Sequence, residues 1–77
     1  MRGITPKQYE TLVFIEQYIE ANGIPPSRMD IARKFGITNT AAQLRVRSLV
    51  DAGKIEVHPR LARGIRLLEK SFKDFEL

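Results

Sequence analysis

The sequence predicts a mainly α-helical domain closed by a small β-hairpin: three helices, then two short strands. Three observations carry this. Helix-start side chains stand at Thr5, Ser27 and Thr38, each with an oxygen able to accept from a free N–H in a first helical turn. Helix-stop residues follow at Asn22-Gly23, Gly36 and Asp51-Ala52-Gly53. After Gly53 the apolar period changes from helical to alternating.

The first helix has the most start signals. Thr5 is its N-cap, Pro6 takes the first helical position where a missing N–H costs nothing, and Gln8 completes a capping box. Ile4 and Tyr9 occupy the positions of a hydrophobic staple. The helix runs to about Glu20 or Ala21. Leu12, Ile15 and Ile19 make one apolar face, widened by Val13, Phe14 and Tyr18. Tyr9, Phe14 and Tyr18 read as core or rim packing rather than a ligand site. Ile24-Pro25-Pro26 is a short stiff linker, because a residue before proline is biased to extended backbone.

Ser27 and Asp30 form a second capping box, and Ile31, Ala32 and Phe35 share a face before Gly36 ends the second helix. Ile37 plugs the turn. Thr38 caps the third helix, residues 38–50, where Ala42, Val46 and Leu49 form the buried stripe. At about 100° per residue from Ala42, Thr40 lies near 160°, Gln43 near 100°, Leu44 near 200° and Arg47 near 140°. These residues therefore share the opposite face. Short polar groups, an amide and a guanidinium at such positions can read base edges or hold phosphates in a major groove. This is the helix-turn-helix arrangement, with the third helix as the recognition helix. The bland alternative is an αα-hairpin with a solvated polar face.

Lys54-Ile55-Glu56-Val57-His58 alternates like a half-buried strand, Pro59 interrupts it, and Ile65-Arg66-Leu67-Leu68 is a second short strand. A hairpin after a helix-turn-helix is a wing, and its loop carries Arg60 and Arg63 where a tip would meet the phosphate backbone or minor groove. No acid falls between residues 57 and 68. The domain is thus expected over residues 1–68. Residues 69–77 form a tail in which Leu68, Phe72 and Phe75 are spaced as one helical face, a candidate pairing surface for a second copy.

Charge distribution supports a polyanionic partner. The 77 residues carry a net +4. Residues 28–66 hold nine Lys or Arg against three acids, and the remainder hold four against six. There is no cysteine, so neither a disulfide framework nor a thiolate metal site is available. No apolar run approaches the roughly 20 residues of a membrane span, and no signal-peptide segment opens the chain. This pattern leads us to expect a cytoplasmic protein. His58 is the single histidine, there is no Gly-rich phosphate loop, and the serines lack a base at recognisable spacing. No enzyme activity, cofactor, metal or small-molecule ligand is expected.

These residues resemble the N-terminal DNA-binding domain of the LexA repressor family over almost the whole chain. The resemblance is carried by the opening Ile4-Thr5-Pro6-Lys7-Gln8 and by Asn22-Gly23-Ile24-Pro25-Pro26-Ser27-Arg28. It continues through Asp30-Ile31-Ala32, Phe35-Gly36, Gly53-Lys54-Ile55-Glu56-Val57 and Arg63-Gly64-Ile65-Arg66-Leu67. It implies a winged helix-turn-helix that binds operator DNA and represses transcription, in bacteria or a phage. Two departures accompany it. The recognition region is one residue shorter than the family's, and its base-reading positions hold Thr38, Asn39, Thr40, Ala41, Gln43 and Leu44 rather than the usual residues. The position of the reading face therefore carries over, but the operator sequence does not. Family repressors also continue into a dimerising, self-cleaving domain with a Ser/Lys pair. These 77 residues hold no counterpart, so the expectation is a LexA-like repressor without autoproteolysis, similar to a small regulator of a mobile element or a competitor of a full repressor.

The expected DNA-binding set is Arg28, Thr38, Asn39, Thr40, Gln43, Leu44, Arg45, Arg47, Arg60 and Arg63. The arginines are expected to meet mainly phosphates, and Asn39, Thr40, Gln43 and Leu44 to approach bases. A single module buries modest surface, so tight binding is expected from a homodimer on two half-sites. The alternative is a protein-interaction winged-helix module, an antirepressor or adaptor using the apolar faces of the first helix and the tail.

Overall fold

The computed structural model describes residues 5–61 and 63–68. Its elements follow the expected order: α1 (Pro6–Asn22), α2 (Arg28–Phe35), α3 (Asn39–Asp51), β1 (Ile55–Val57) and β2 (Ile65–Leu67). Mainly helical, with one two-stranded antiparallel sheet, this is the winged helix-turn-helix architecture. Among the described residues no helix is long and apolar enough to cross a membrane. Ile4 of the expected staple and the tail from residue 69 lie outside the described residues.

Local chemistry sets each helix boundary. In α1 the Thr5 hydroxyl accepts from the Gln8 N–H at 3.1 Å, and the Gln8 side chain accepts from the Thr5 N–H at 2.8 Å. In α2, Ser27 and Asp30 exchange the same pair of bonds at 3.1 and 3.0 Å. The Thr38 hydroxyl accepts from the Ala41 N–H at 3.0 Å. A cap of this kind contributes about 1 kcal/mol to its helix. Helix α1 runs one residue past the expected limit, where Asn22 Nδ2 donates to the Tyr18 carbonyl at 3.0 Å. Gly36 takes the left-handed conformation, φ 66°, that lets the chain turn sharply from α2 toward α3.

The core lies where the three helices and the sheet converge. Leu12 and Ile15 of α1, Ile31 and Ala32 of α2, Ala42, Val46 and Leu49 of α3, and Ile55 and Ile65 of the sheet are all buried. Phe14, Ile19, Phe35, Ile37, Val50 and Leu67 pack around them. Thr11, which the apolar pattern of α1 passes over, is also fully buried. Its hydroxyl donates to the Lys7 carbonyl at 2.9 Å and so needs no water.

An isolated two-stranded hairpin is marginal in water and must lean on a neighbour. Ile55 pairs with Leu67, Glu56 with Arg66 and Val57 with Ile65. Residues 55, 57, 65 and 67 therefore share one face. Ile55 and Ile65 sink into the core, whereas Val57, at the far end of that face, stays 40 % exposed. The strands are shorter than expected because Lys54 belongs to the turn that ends α3, its N–H donating to the Leu49 carbonyl at 3.0 Å. At the other end, Gly64 passes so close to His58 that an added Cβ would sit 2.7 Å from the His58 carbonyl oxygen.

Candidate nucleic-acid interface

The outward face of α3 has the composition expected of it. Thr40, Gln43, Leu44 and Arg47 are exposed, opposite buried Ala42, Val46 and Leu49, and Asn39 is exposed at the helix start. Leu44 is 63 % exposed. No carboxylate occurs on α3 before Asp51. Arg47 Nε lies 3.9 Å from Asp51 Oδ1 with both side chains about 70 % exposed, a pair too solvated to hold the guanidinium in place. Thr38 stands at the start of the face with its hydroxyl engaged as the cap.

Between α3 and the wing runs a groove of about 460 Å³. Val46, Val50 and Val57 contribute apolar lining, which accounts for the half-exposed position of Val57. Arg28, Gln43, Arg47 and His58 border it with polar groups. Arg28 enters at the first turn of α2, and Arg60 stands exposed on the wing loop, its N–H donating to His58 Nδ1 at 3.3 Å. The exposed face of α3 and the groove thus adjoin the wing, with Arg28 and Arg47 lining the groove and Arg60 exposed on the loop.

Arg45 and Arg63, expected among the outward arginines, are placed differently. Arg45 Nη1 donates to the Thr11 hydroxyl at 3.1 Å, and its guanidinium lies 4.7 Å from the centre of the Phe35 ring. Its position about 300° from Ala42, within about 60° of the buried stripe, is the signal that would have separated it from Arg47. Arg63 folds back from the wing onto the body. Its Nη1 is 2.8 Å from Asp30 Oδ2, 3.0 Å from the Pro25 carbonyl and 3.3 Å from the Tyr18 hydroxyl, all of which can accept.

These two arginines bracket a row of rings. Phe35 meets Phe14 edge-on at 5.8 Å, and Phe14 meets Tyr18 edge-on at 5.7 Å. The Arg63 guanidinium lies 6.0 Å from the Tyr18 ring centre. Cation–ring and edge-to-face contacts are each individually modest, but here they run without a break from α3 through α2 and α1 to the wing. The expectation that Phe14 and Tyr18 are packing residues agrees with this row.

Asp30 is where local and distant contacts meet. The Ser27 N–H holds its carboxyl below the usual carboxylate range, Arg63 adds to the effect, and partial burial opposes both. Arg33 contributes a longer, exposed contact to the other oxygen at 3.4 Å.

The fold and this surface define a winged helix-turn-helix domain with a basic, acid-poor recognition helix. The family model described as LexA DNA binding domain matches residues 1–64. The chain is 45 % identical over 74 residues to a LexA repressor of Thermotoga neapolitana, an alignment covering 96 % of this chain and 37 % of the relative. It is 40 % identical over 78 residues to a LexA repressor of Shewanella piezotolerans, covering all of this chain and 38 % of the relative. A Haemophilus influenzae LexA repressor is 37 % identical over 75 residues, 96 % of this chain and 36 % of its own. The chain therefore belongs to the LexA DNA-binding domain family and spans little more than a third of the length of these relatives.

Proposed function

We propose that this domain binds double-stranded DNA sequence-specifically and serves a transcriptional repressor of the LexA type. The observation that carries the reading is the exposed face of α3. It combines Thr40, Gln43, Leu44 and Arg47, has no carboxylate before Asp51, and stands beside a groove bordered by Arg28. In this reading α3 lies in the major groove with Thr38, Asn39, Thr40, Gln43 and Leu44 toward the bases. Arg28, Arg47 and Arg60 meet phosphates, while Arg45 and Arg63 hold the helices and wing in position. Two copies on two half-sites supply the affinity that one small module lacks.

The test is anisotropy of a labelled duplex titrated at several salt concentrations. Three arginine–phosphate contacts per copy predict a log–log salt slope of about −3 per bound copy. Site selection from a random pool is then expected to enrich one motif, palindromic if two copies bind by symmetry. Salt-independent binding to a protein with no affinity for any duplex would instead support the adaptor reading.

A further inference from the structure

Leu44 is the one large apolar side chain on the reading face, 63 % exposed and flanked by exposed Thr40, Gln43 and Arg47. A leucine gains nothing from a phosphate oxygen or from a hydrogen-bonding base edge. In the major groove of unmodified DNA its apolar partner is the C5-methyl group of thymine. Gln43, next to it, has no side-chain hydrogen bond within the chain among the described residues, so its carbonyl and amide are both available. That donor–acceptor pair matches adenine N6 and N7. The first three turns of α3 hold no carboxylate to accept from cytosine N4.

We propose that Leu44 and Gln43 are specificity-determining residues of this domain and that they select A·T pairs in the half-site: Leu44 packs on a thymine methyl, and Gln43 pairs with an adenine. The proposal deepens the DNA-binding reading and rests on it. Spacing limits where those pairs can be. Thr40 and Leu44, which bracket Gln43, are four residues apart, about 6 Å along the axis. That is less than two base-pair steps of about 3.4 Å each. The A·T preference is therefore confined to one or two adjacent steps.

The experiment starts with the motif that the 77-residue chain enriches from a random duplex pool. Each thymine of that motif is replaced in turn by deoxyuridine, which keeps every hydrogen-bonding group and removes only the methyl. One replacement is expected to weaken binding about fourfold, the equivalent of one buried methyl. Leu44→Ala is expected to bind the thymine and uracil duplexes equally, and it keeps the helix because alanine is a good helix former. Gln43→Ala is expected to relax preference at one A·T pair only. Equal binding of all uracil duplexes by the unaltered chain, a thymine effect that survives Leu44→Ala, or a motif without a fixed A·T pair would overturn the assignment. Absence of salt-dependent binding to any duplex would remove the DNA-binding reading itself, a separate result.

Discussion

Arg63 Nη1 and Asp30 Oδ2 stand 2.8 Å apart, joining the wing loop to the first turn of α2 across 33 residues of sequence. The same oxygen accepts the Ser27 N–H at 3.0 Å, so one carboxylate both caps a helix and anchors the wing. Replacing Arg63 with alanine is expected to leave α1, α2 and α3 folded and to loosen the wing. Hydrogen exchange should report this as faster exchange of β1–β2 amides with little change at Ile15, Ile31 and Leu49. Unchanged protection in the wing would show that Ile55 and Ile65 alone hold it.

Acid should weaken the same anchor. The Ser27 N–H, with help from Arg63, lowers the Asp30 pKa in the folded state. The carboxylate therefore contributes stability that is fully present above its ordinary unfolded value of about 4 and is lost as pH falls through the folded value. Melting temperature is expected to drop below about pH 4, and Asp30→Asn is expected to be less stable at neutral pH with a flatter acid limb. Parallel curves for the two proteins would assign the acid sensitivity to other groups.

Arg47 and Arg45 are two residues apart and should behave in opposite ways. Arg47→Ala is expected to flatten the salt slope of DNA binding by about one unit with little loss of stability. Arg45→Ala is expected to keep the slope and cost about 1–2 kcal/mol in unfolding, through its lost bond to Thr11 and its lost stack on Phe35. Urea denaturation together with the salt titration separates the two roles. A lowered slope for Arg45→Ala would return it to the phosphate contacts.

Gly64 tests the geometry of the wing. Any side chain there meets the His58 backbone, with 2.7 Å to its carbonyl oxygen. Gly64→Ala is expected to cost about 1–3 kcal/mol by overpacking, read as a lower urea midpoint. An unchanged midpoint would mean that His58 moves aside at no cost.

What was legible in the sequence was what is short-range. Both capping boxes join residues three positions apart, so residue type and spacing suffice to read them. The stripe of Ala42, Val46 and Leu49 and the turn at Gly36 follow from helical geometry alone. What escaped depends on partners remote in the chain. Thr11 breaks the apolar pattern of α1 yet is buried, and its hydroxyl accepts from Arg45, 34 residues away. Arg63 looks like any other loop arginine until Asp30, Pro25 and Tyr18 are brought beneath it. Charge and position alone placed all five expected phosphate-contacting arginines in one class. The fold divides them into outward Arg28, Arg47 and Arg60 and inward-engaged Arg45 and Arg63.

The row of rings between Arg45 and Arg63 has a mechanical consequence. On one side α3 passes into β1 through a three-residue turn, Ala52 to Lys54. On the other, Phe35, Phe14 and Tyr18 bridge the two guanidiniums. Contacts at both ends thereby tie α3 to the wing, as the two arms of a calliper are tied at its hinge. To the extent that this tie holds, a duplex bound in the proposed manner has to match the spacing of α3 and the wing or bend toward it. Sequences that deform at low cost would then bind better even at positions no side chain touches.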